Sequence, residues 1–109
     1  MGQKKTQLKE LRKKFRNGCL ERDNHGCRVC SSKDHVTVHH ITDRKEMPND
    51  GYAVSNGISL CFIHHLAAEV FHQTKGNRWI PDAHPDDLYV LIGSSKEKAV
   101  KDSEKLLEE

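Results

Sequence analysis

Two short pairs of metal-ligand residues constrain the fold of this chain most. Cys27 and Cys30 are separated by two residues, and Cys61 and His64 repeat that spacing after thirty intervening residues. Each pair can present two ligands to one tetrahedral ion, and three cysteines with one histidine form an accepted structural zinc set. Cys19 is a rival for the fourth position, but its distance from either pair favours a buried free thiol. We therefore expect the two pairs to hold a structural zinc ion and to tie the intervening loop together.

The chain has room for one domain with a thin apolar core. It has 109 residues, of which 35% are hydrophobic and 31% are charged. A chain of this size and composition needs an additional constraint, such as a metal site. Its apolar stretches are far shorter than the roughly 20 residues that cross a bilayer, and no secretory signal begins it. We expect a single domain over residues 1–109, a cytoplasmic location and no membrane partner.

Positive charge is concentrated near the N-terminus. Residues 1–22 carry eight Lys or Arg and two acids, whereas residues 82–109 carry four Lys and eight acids. Apolar residues recur at helical spacing from Thr6 to about Leu20, which predicts an amphipathic basic helix that Asn17-Gly18 interrupts. Such a face can bind a polyanion, although an ordinary solvated helix surface accounts for it as well.

The middle of the chain has the pattern of two strands and a helix. Val36, Val38 and Ile41 indicate a first strand, and residues 53–60 indicate a second one after turn-forming residues. Residues 62–73 have helical periodicity, and Gly76 is a suitable end. Two further helices are predicted, one that begins at His84-Pro85-Asp86-Asp87 and ends at Gly93, and one that runs from a Ser94–Glu97 capping box to about Leu107.

Two adjacent histidines, His39 and His40, lie within the first predicted strand, between Val38 and Ile41. Neighbouring residues on a strand point to opposite sides, so one imidazole can bind a catalytic cation while the other faces a different partner. An imidazole near neutral pKa can take a proton from water. A pair of surface histidines without a catalytic role is the competing interpretation.

The polar face of the 62–73 helix offers further ligands. His65 and Glu69 are four residues apart and His72 follows three residues later, so all three can point to one ion. A solvated helix face with an ordinary Glu–His contact is the alternative.

The residues around these histidines resemble the HNH nuclease family. The similarity runs from about residue 16 to 72, and it extends to small phage and bacterial members through segments 47–52 and 68–72. It rests on Arg22-Asp23, Cys27-x-x-Cys30, His39-His40-Ile41, Asn56-x-x-x-Leu60-Cys61 and His64-His65. The resemblance implies an α+β fold in which a ββα-metal core with structural zinc, at about 16–75, is flanked by a basic N-terminal helix and a helical extension at about 84–107.

The resemblance also implies roles for single residues. His40 would be the general base, and His39 and His65 would bind the catalytic cation, with Glu69 and His72 as further candidates. Asn56 would brace the loop that carries the base or bind the metal. The family has a fourth cysteine where this chain has His64. One step along a helix rotates a side chain by about 100°, which favours His64 for zinc and His65 for catalysis.

The function implied is a metal-dependent DNA endonuclease that nicks or cuts phosphodiester bonds with Mg²⁺, Mn²⁺, Ni²⁺ or Zn²⁺. DNA would be its partner, together with a phage packaging or other DNA-processing protein, in the cytoplasm of a bacterial host if the chain is phage-encoded. A non-catalytic, zinc-stabilised nucleic-acid-binding or packaging accessory module is the alternative, and a purely structural zinc protein is a third. The expected phosphate contacts are Arg44, Lys13, Lys14 and Arg16, with Lys4, Lys5, Lys9 and Arg12.

Overall fold

The chain forms a small α+β structure with one two-stranded antiparallel sheet. The structure is a computed structural model that describes the backbone of residues 2–107 and the side chains of residues 7–107. The side chains of Lys4 and Lys5 therefore lie outside the described residues. The helices and strands are α1 (Gly2–Arg22), β1 (Thr37–His40), β2 (Gly57–Leu60), α2 (Phe62–Gln73), α3 (Pro85–Leu91) and α4 (Lys96–Glu104).

The two strands pair in a register that runs from Thr37 opposite Leu60 to His40 opposite Gly57. The second strand is shorter than the sequence predicts, because Val54–Asn56 form a 3-10 turn before it. The N–H of Asn56 donates to the carbonyl of Ala53 at 2.8 Å and closes this turn. The turn thus ends where β2 begins, at Gly57.

Helix α1 is continuous, so the predicted interruption at Asn17-Gly18 is wrong. Gly18 instead allows α1 to lie close to Val54, because a Cβ at this position would be 2.8 Å from Cγ2 of Val54. Gly57 has the same role on the facing strand, where a Cβ would lie 2.5 Å from Cζ of Phe15. These two glycines let α1 pack directly on β2 and on the turn that precedes it.

The strands lie between α1 and α2, and each side has its own core. Phe15 and Cys19 of α1 pack with Tyr52 on one side. On the other side, the strand and loop residues meet α2 and the two C-terminal helices in a second cluster, which includes Ile41, Ile58, Leu60, Ala68, Leu88, Tyr89 and Ala99.

The C-terminal helices begin at residues with capping side chains. His84 accepts from the N–H of Asp86, and the Asp87 carboxylate accepts from the N–H of His84, so α3 has the expected start. Helix α4 is capped by Ser95, which accepts from the N–H of Lys98, whereas Ser94 donates to the carbonyl of Ser55. Among the described residues, no helix combines the length and the apolar character that a membrane span requires.

Candidate metal centres

The four predicted zinc ligands come together in the structure. The ligand atoms of Cys27, Cys30, Cys61 and His64 all lie within 4.8 Å of one another. Sγ of Cys61 is 3.2 Å from Nδ1 of His64 and 3.8 Å from Sγ of Cys30, and Sγ of Cys27 is 3.6 Å from the same imidazole nitrogen. Three sulfurs and one imidazole nitrogen at these separations could hold a metal ion such as zinc, so the prediction that the two pairs come together is confirmed.

Local backbone structure holds each ligand pair in place. The N–H of Ser31 donates to the carbonyl of Cys27, and Ser31 has a φ of 65°, so this pair lies on a tight turn. The N–H of Arg28 donates to the carbonyl of Ser59, and this hydrogen bond connects the turn to β2. Cys61 immediately precedes α2, which places His64 in the first turn of the helix.

The hydrogen bonds around Cys27 favour its thiolate form. Burial raises the pKa of Cys27, but backbone hydrogen bonds outweigh burial and lower it to about 7. The thiolate is the form that binds metal. Cys19 is not part of this cluster: its Sγ lies 3.8 Å from the carbonyl of Val54, and burial raises the pKa of its thiol to about 12.

A second group of ligand atoms joins β1 to α2. Nδ1 of His39 lies 3.0 Å from Oε1 of Glu69, and Nε2 of His65 lies 3.3 Å from the same oxygen. These ligand atoms all lie within 4.8 Å of one another. Oγ1 of Thr37 is 2.6 Å from Nδ1 of His65, so the ring is held from its other side, as metal-binding imidazoles usually are.

Helix α2 turns its polar face toward the strands. His65, Glu69 and His72 face β1, whereas Ile63 is 72% exposed and Leu66 is 53% exposed. The sequence pattern distinguishes the two faces but contains no signal that the apolar one would be left in contact with solvent.

The charges in this second group suit a divalent cation. The hydrogen bond from His39 lowers the pKa of Glu69 to about 2, so its carboxylate is ionised at neutral pH. Burial lowers the pKa of His39, and the neighbouring carboxylate opposes this only in part. A neutral imidazole and an ionised carboxylate are the forms in which these residues bind metals.

His72, which the sequence offers as a further ligand, has a different place. Its Nε2–H donates to the carbonyl of His40 at 2.9 Å, and its ring stacks on His39 with centroids 5.1 Å apart. The structure therefore brings His39, His65 and Glu69 together and uses His72 as a support for the end of β1.

His40 lies on the opposite face of β1 from His39, as strand alternation predicts. Its ring stacks on Phe15 with centroids 4.5 Å apart and meets the edge of Tyr52 at 5.4 Å. Its Nε2 is buried and has no hydrogen-bond partner among the described residues. Burial lowers the pKa of His40 to about 4, and the charge of Arg44 acts in the same direction.

Asn56 is fully buried and braces the loop between the strands. Its Oδ1 accepts from the N–H of Thr42 at 3.0 Å, and its Nδ2 donates to the carbonyls of Thr42 and Gly51. The hydroxyl of Tyr89 also donates to Oδ1 of Asn56. Sequence reasoning missed both Tyr89 and Thr37, because each acts on a residue far from it in the chain.

The predicted phosphate contacts divide into two groups. Arg12, Arg16 and Arg44 line a groove between α1 and β1. Lys9, Lys13 and Lys14 lie on the exposed surface of α1 and not in that groove. Arg44 also lies over the ring of Tyr52, 5.2 Å from its centroid.

Comparisons with known proteins supply no relative for this arrangement: no family model, curated protein or solved structure matches the chain. Function therefore has to be argued from the site itself.

Proposed function

We propose that this chain is a metal-dependent DNA endonuclease of the HNH type, in which β1, β2 and α2 form a ββα-metal core. The observation that carries the proposal is the convergence of His39, His65 and Glu69, from a strand and a helix, within 4.8 Å. Adjacent on the strand is His40, whose buried Nε2 has no partner in the described part of the chain.

The donor set fits a divalent cation. Two imidazole nitrogens suit Zn²⁺ or Ni²⁺, and the carboxylate oxygen extends the range to Mn²⁺ and Mg²⁺. Such a cation, held by His39, His65 and Glu69, would supply positive charge to a non-bridging phosphate oxygen. Thr37 would keep the imidazole of His65 oriented through its 2.6 Å contact.

His40 would act as the general base. A base must be within hydrogen-bond reach of the water whose proton it takes. The Nε2 of His40 has no hydrogen-bond partner among the described residues, and because this atom is buried, the side chains around it must move for a water molecule to reach it. His39 and His40 face opposite sides of β1, so a phosphate that contacts both sides must lie at the edge of β1 that does not pair with β2. Asn56 would hold the loop that follows His40 through its bonds to Thr42.

The burial of Nε2 of His40 favours a second candidate, because a buried imidazole nitrogen is not in contact with water. This candidate is a zinc-stabilised module that binds nucleic acid or assists packaging without turnover. In that case the contacts from Glu69 to His39 and His65 only fasten α2 to β1. The two candidates differ in whether DNA is cleaved.

A plasmid-nicking assay with the zinc-loaded protein separates them. We expect nicking with at least one of Mg²⁺, Mn²⁺, Ni²⁺ or Zn²⁺, and a loss of about 10²-fold or more in His40→Ala, consistent with removal of a general base. Glu69→Gln should lose activity as well, with its DNA affinity retained.

His35→Ala is the matched control, because the side chain of His35 is 81% exposed and pairs only with neighbouring Asp34 among the described residues. It should nick like the wild type. A wild-type protein that is inert with all four metals, or a His40→Ala protein with full activity, would overturn the nuclease proposal.

A further inference from the structure

A groove of about 320 Å³ runs between α1 and β1. Arg12 and Arg16 form its wall on the helix, Arg44 lies on the other side, and the rings of His40 and Tyr52 also line it. Arg12 and Arg16 are four residues apart, so both guanidinium groups are on the same face of α1, about 6 Å apart along the axis.

The charge of this groove distinguishes it from four other clefts in the described part of the chain. Its lining contains three arginines and no acidic residue. Four other clefts, of about 160–360 Å³, each contain at least one acidic residue, namely Asp43 in two of them, Asp23 in a third and Asp34 in a fourth. A basic groove of this kind concentrates positive potential and attracts a polyanion.

The groove is also connected to the candidate metal centre. Thr37 lines it, and Oγ1 of the same residue is 2.6 Å from Nδ1 of His65. The buried Nε2 of His40, which has no partner among the described residues, belongs to another lining residue. A chain of phosphates in the groove would therefore reach the edge of β1 beside His65.

We infer that this groove is the site where DNA phosphates next to the scissile one are bound, with Arg12 and Arg16 as the clamp. This inference rests on the proposed function, and it selects among the basic residues of α1. Lys13 and Lys14 lie on the same exposed helix but outside the groove, so their charges contribute only to the general field. Guanidinium groups also bind phosphate oxygens in a bidentate manner, which lysine cannot do.

Two double variants test the inference with equal changes in charge. Arg12→Ala with Arg16→Ala and Lys13→Ala with Lys14→Ala each remove two positive charges from exposed positions of one helix. Affinity for a fluorescent DNA duplex is measured on the full-length, zinc-loaded protein at several salt concentrations, without a divalent cation that supports cleavage.

We expect the arginine pair to weaken binding at least about tenfold and to lower the slope of log affinity against log salt by about 2. The lysine pair should weaken it less than about threefold, because those contacts are diffuse. Equal losses in the two variants would overturn the inference, as would a wild-type protein that shows no salt-dependent DNA affinity.

The result can be read separately from the nuclease proposal. If the arginine pair weakens binding selectively but the wild type cleaves nothing, the groove is supported and the nuclease proposal fails. If the wild type cleaves DNA and both double variants bind alike, the nuclease proposal is supported and the groove inference fails.

Discussion

The hydroxyl of Tyr89 in α3 donates a 2.7 Å hydrogen bond to Oδ1 of Asn56, which lies 33 residues earlier in the chain. The same hydroxyl is 2.7 Å from Oγ1 of Thr42, and both contacts are buried. Since Tyr89 uses its one proton on Asn56, Thr42 is the donor in the second bond. The C-terminal helices therefore take part in fixing the loop between the strands.

Replacement of Tyr89 by Phe should lower the free energy of unfolding by about 1–2 kcal/mol, because Asn56 and Thr42 each lose a buried partner. Asn56→Ala should lower the free energy of unfolding further, since it also removes the hydrogen bonds to Thr42 and Gly51. Denaturant unfolding of both single variants and the double variant measures their coupling. We expect a coupling energy of about 1 kcal/mol, and strictly additive effects would show that the two side chains do not act together.

Gly57→Ala should disrupt the contact between α1 and β2. Its Cβ would lie 2.5 Å from Cζ of Phe15 and 2.6 Å from Sγ of Cys19, both in a buried cluster that cannot yield easily. We expect the free energy of unfolding, measured with denaturant, to fall by about 1–3 kcal/mol or more. Gly26→Ala is the control, because the nearest atom to its Cβ is the Ser31 carbonyl oxygen at 3.4 Å. A Gly57→Ala protein as stable as this control would contradict the packing of α1 on the sheet.

Local patterns in the sequence were sufficient for some parts of the fold and not for others. The spacing of Cys27, Cys30, Cys61 and His64 was sufficient to predict that they come together, because each pair can present two ligands to one ion. Strand alternation likewise put His39 and His40 on opposite faces.

The parts that sequence reasoning missed depend on contacts between distant segments. α1 runs through Gly18 because Val54 packs against it, and no local rule for glycine includes that neighbour. Helix α4 is capped by Ser95 and not by the predicted Ser94, because the hydroxyl of Ser94 donates to the carbonyl of Ser55, 39 positions away. The function of the second ligand group, His39, His65 and Glu69, stays a prediction.

Asp23 should contribute stability that depends on pH. Burial raises the pKa of Asp23, but the hydrogen bonds from Arg22 and from the Ser59 N–H outweigh this and hold the pKa below its usual value. A carboxyl with a lowered pKa in the folded state stabilises the protein above its unfolded pKa of about 3.8–3.9 and loses this effect as the pH falls toward the folded value.

We therefore expect Asp23→Asn to be about 3 kcal/mol less stable than the wild type at pH 7, because Arg22 loses its buried partner. The difference should stay constant down to about pH 5 and narrow below about pH 4, which urea titrations at each pH can measure. Asp34→Asn removes a carboxylate that is 85% exposed and serves as the control. A difference that widens on acidification would contradict the role of Asp23.

Cys30 offers the cleanest test of the structural metal site, because it is the exposed member of the cluster. Replacing a buried cysteine also alters packing, whereas Cys30→Ser removes a ligand and little else. Since metal binding to such a site is coupled to folding, we expect the melting temperature to fall by about 10 °C or more, the effect of roughly 2 kcal/mol in a chain of this length. Melting curves with and without a chelator measure this.

When a strong chelator is added, the melting temperature of the wild type should fall toward that of Cys30→Ser. The melting temperature of the variant should change little. Glu69→Gln should keep one tightly bound zinc per chain, because the second ligand group is separate from the first. A Cys30→Ser protein that keeps both the wild-type melting temperature and its zinc would show that Cys27, Cys61 and His64 suffice, and that the four-ligand assignment is wrong.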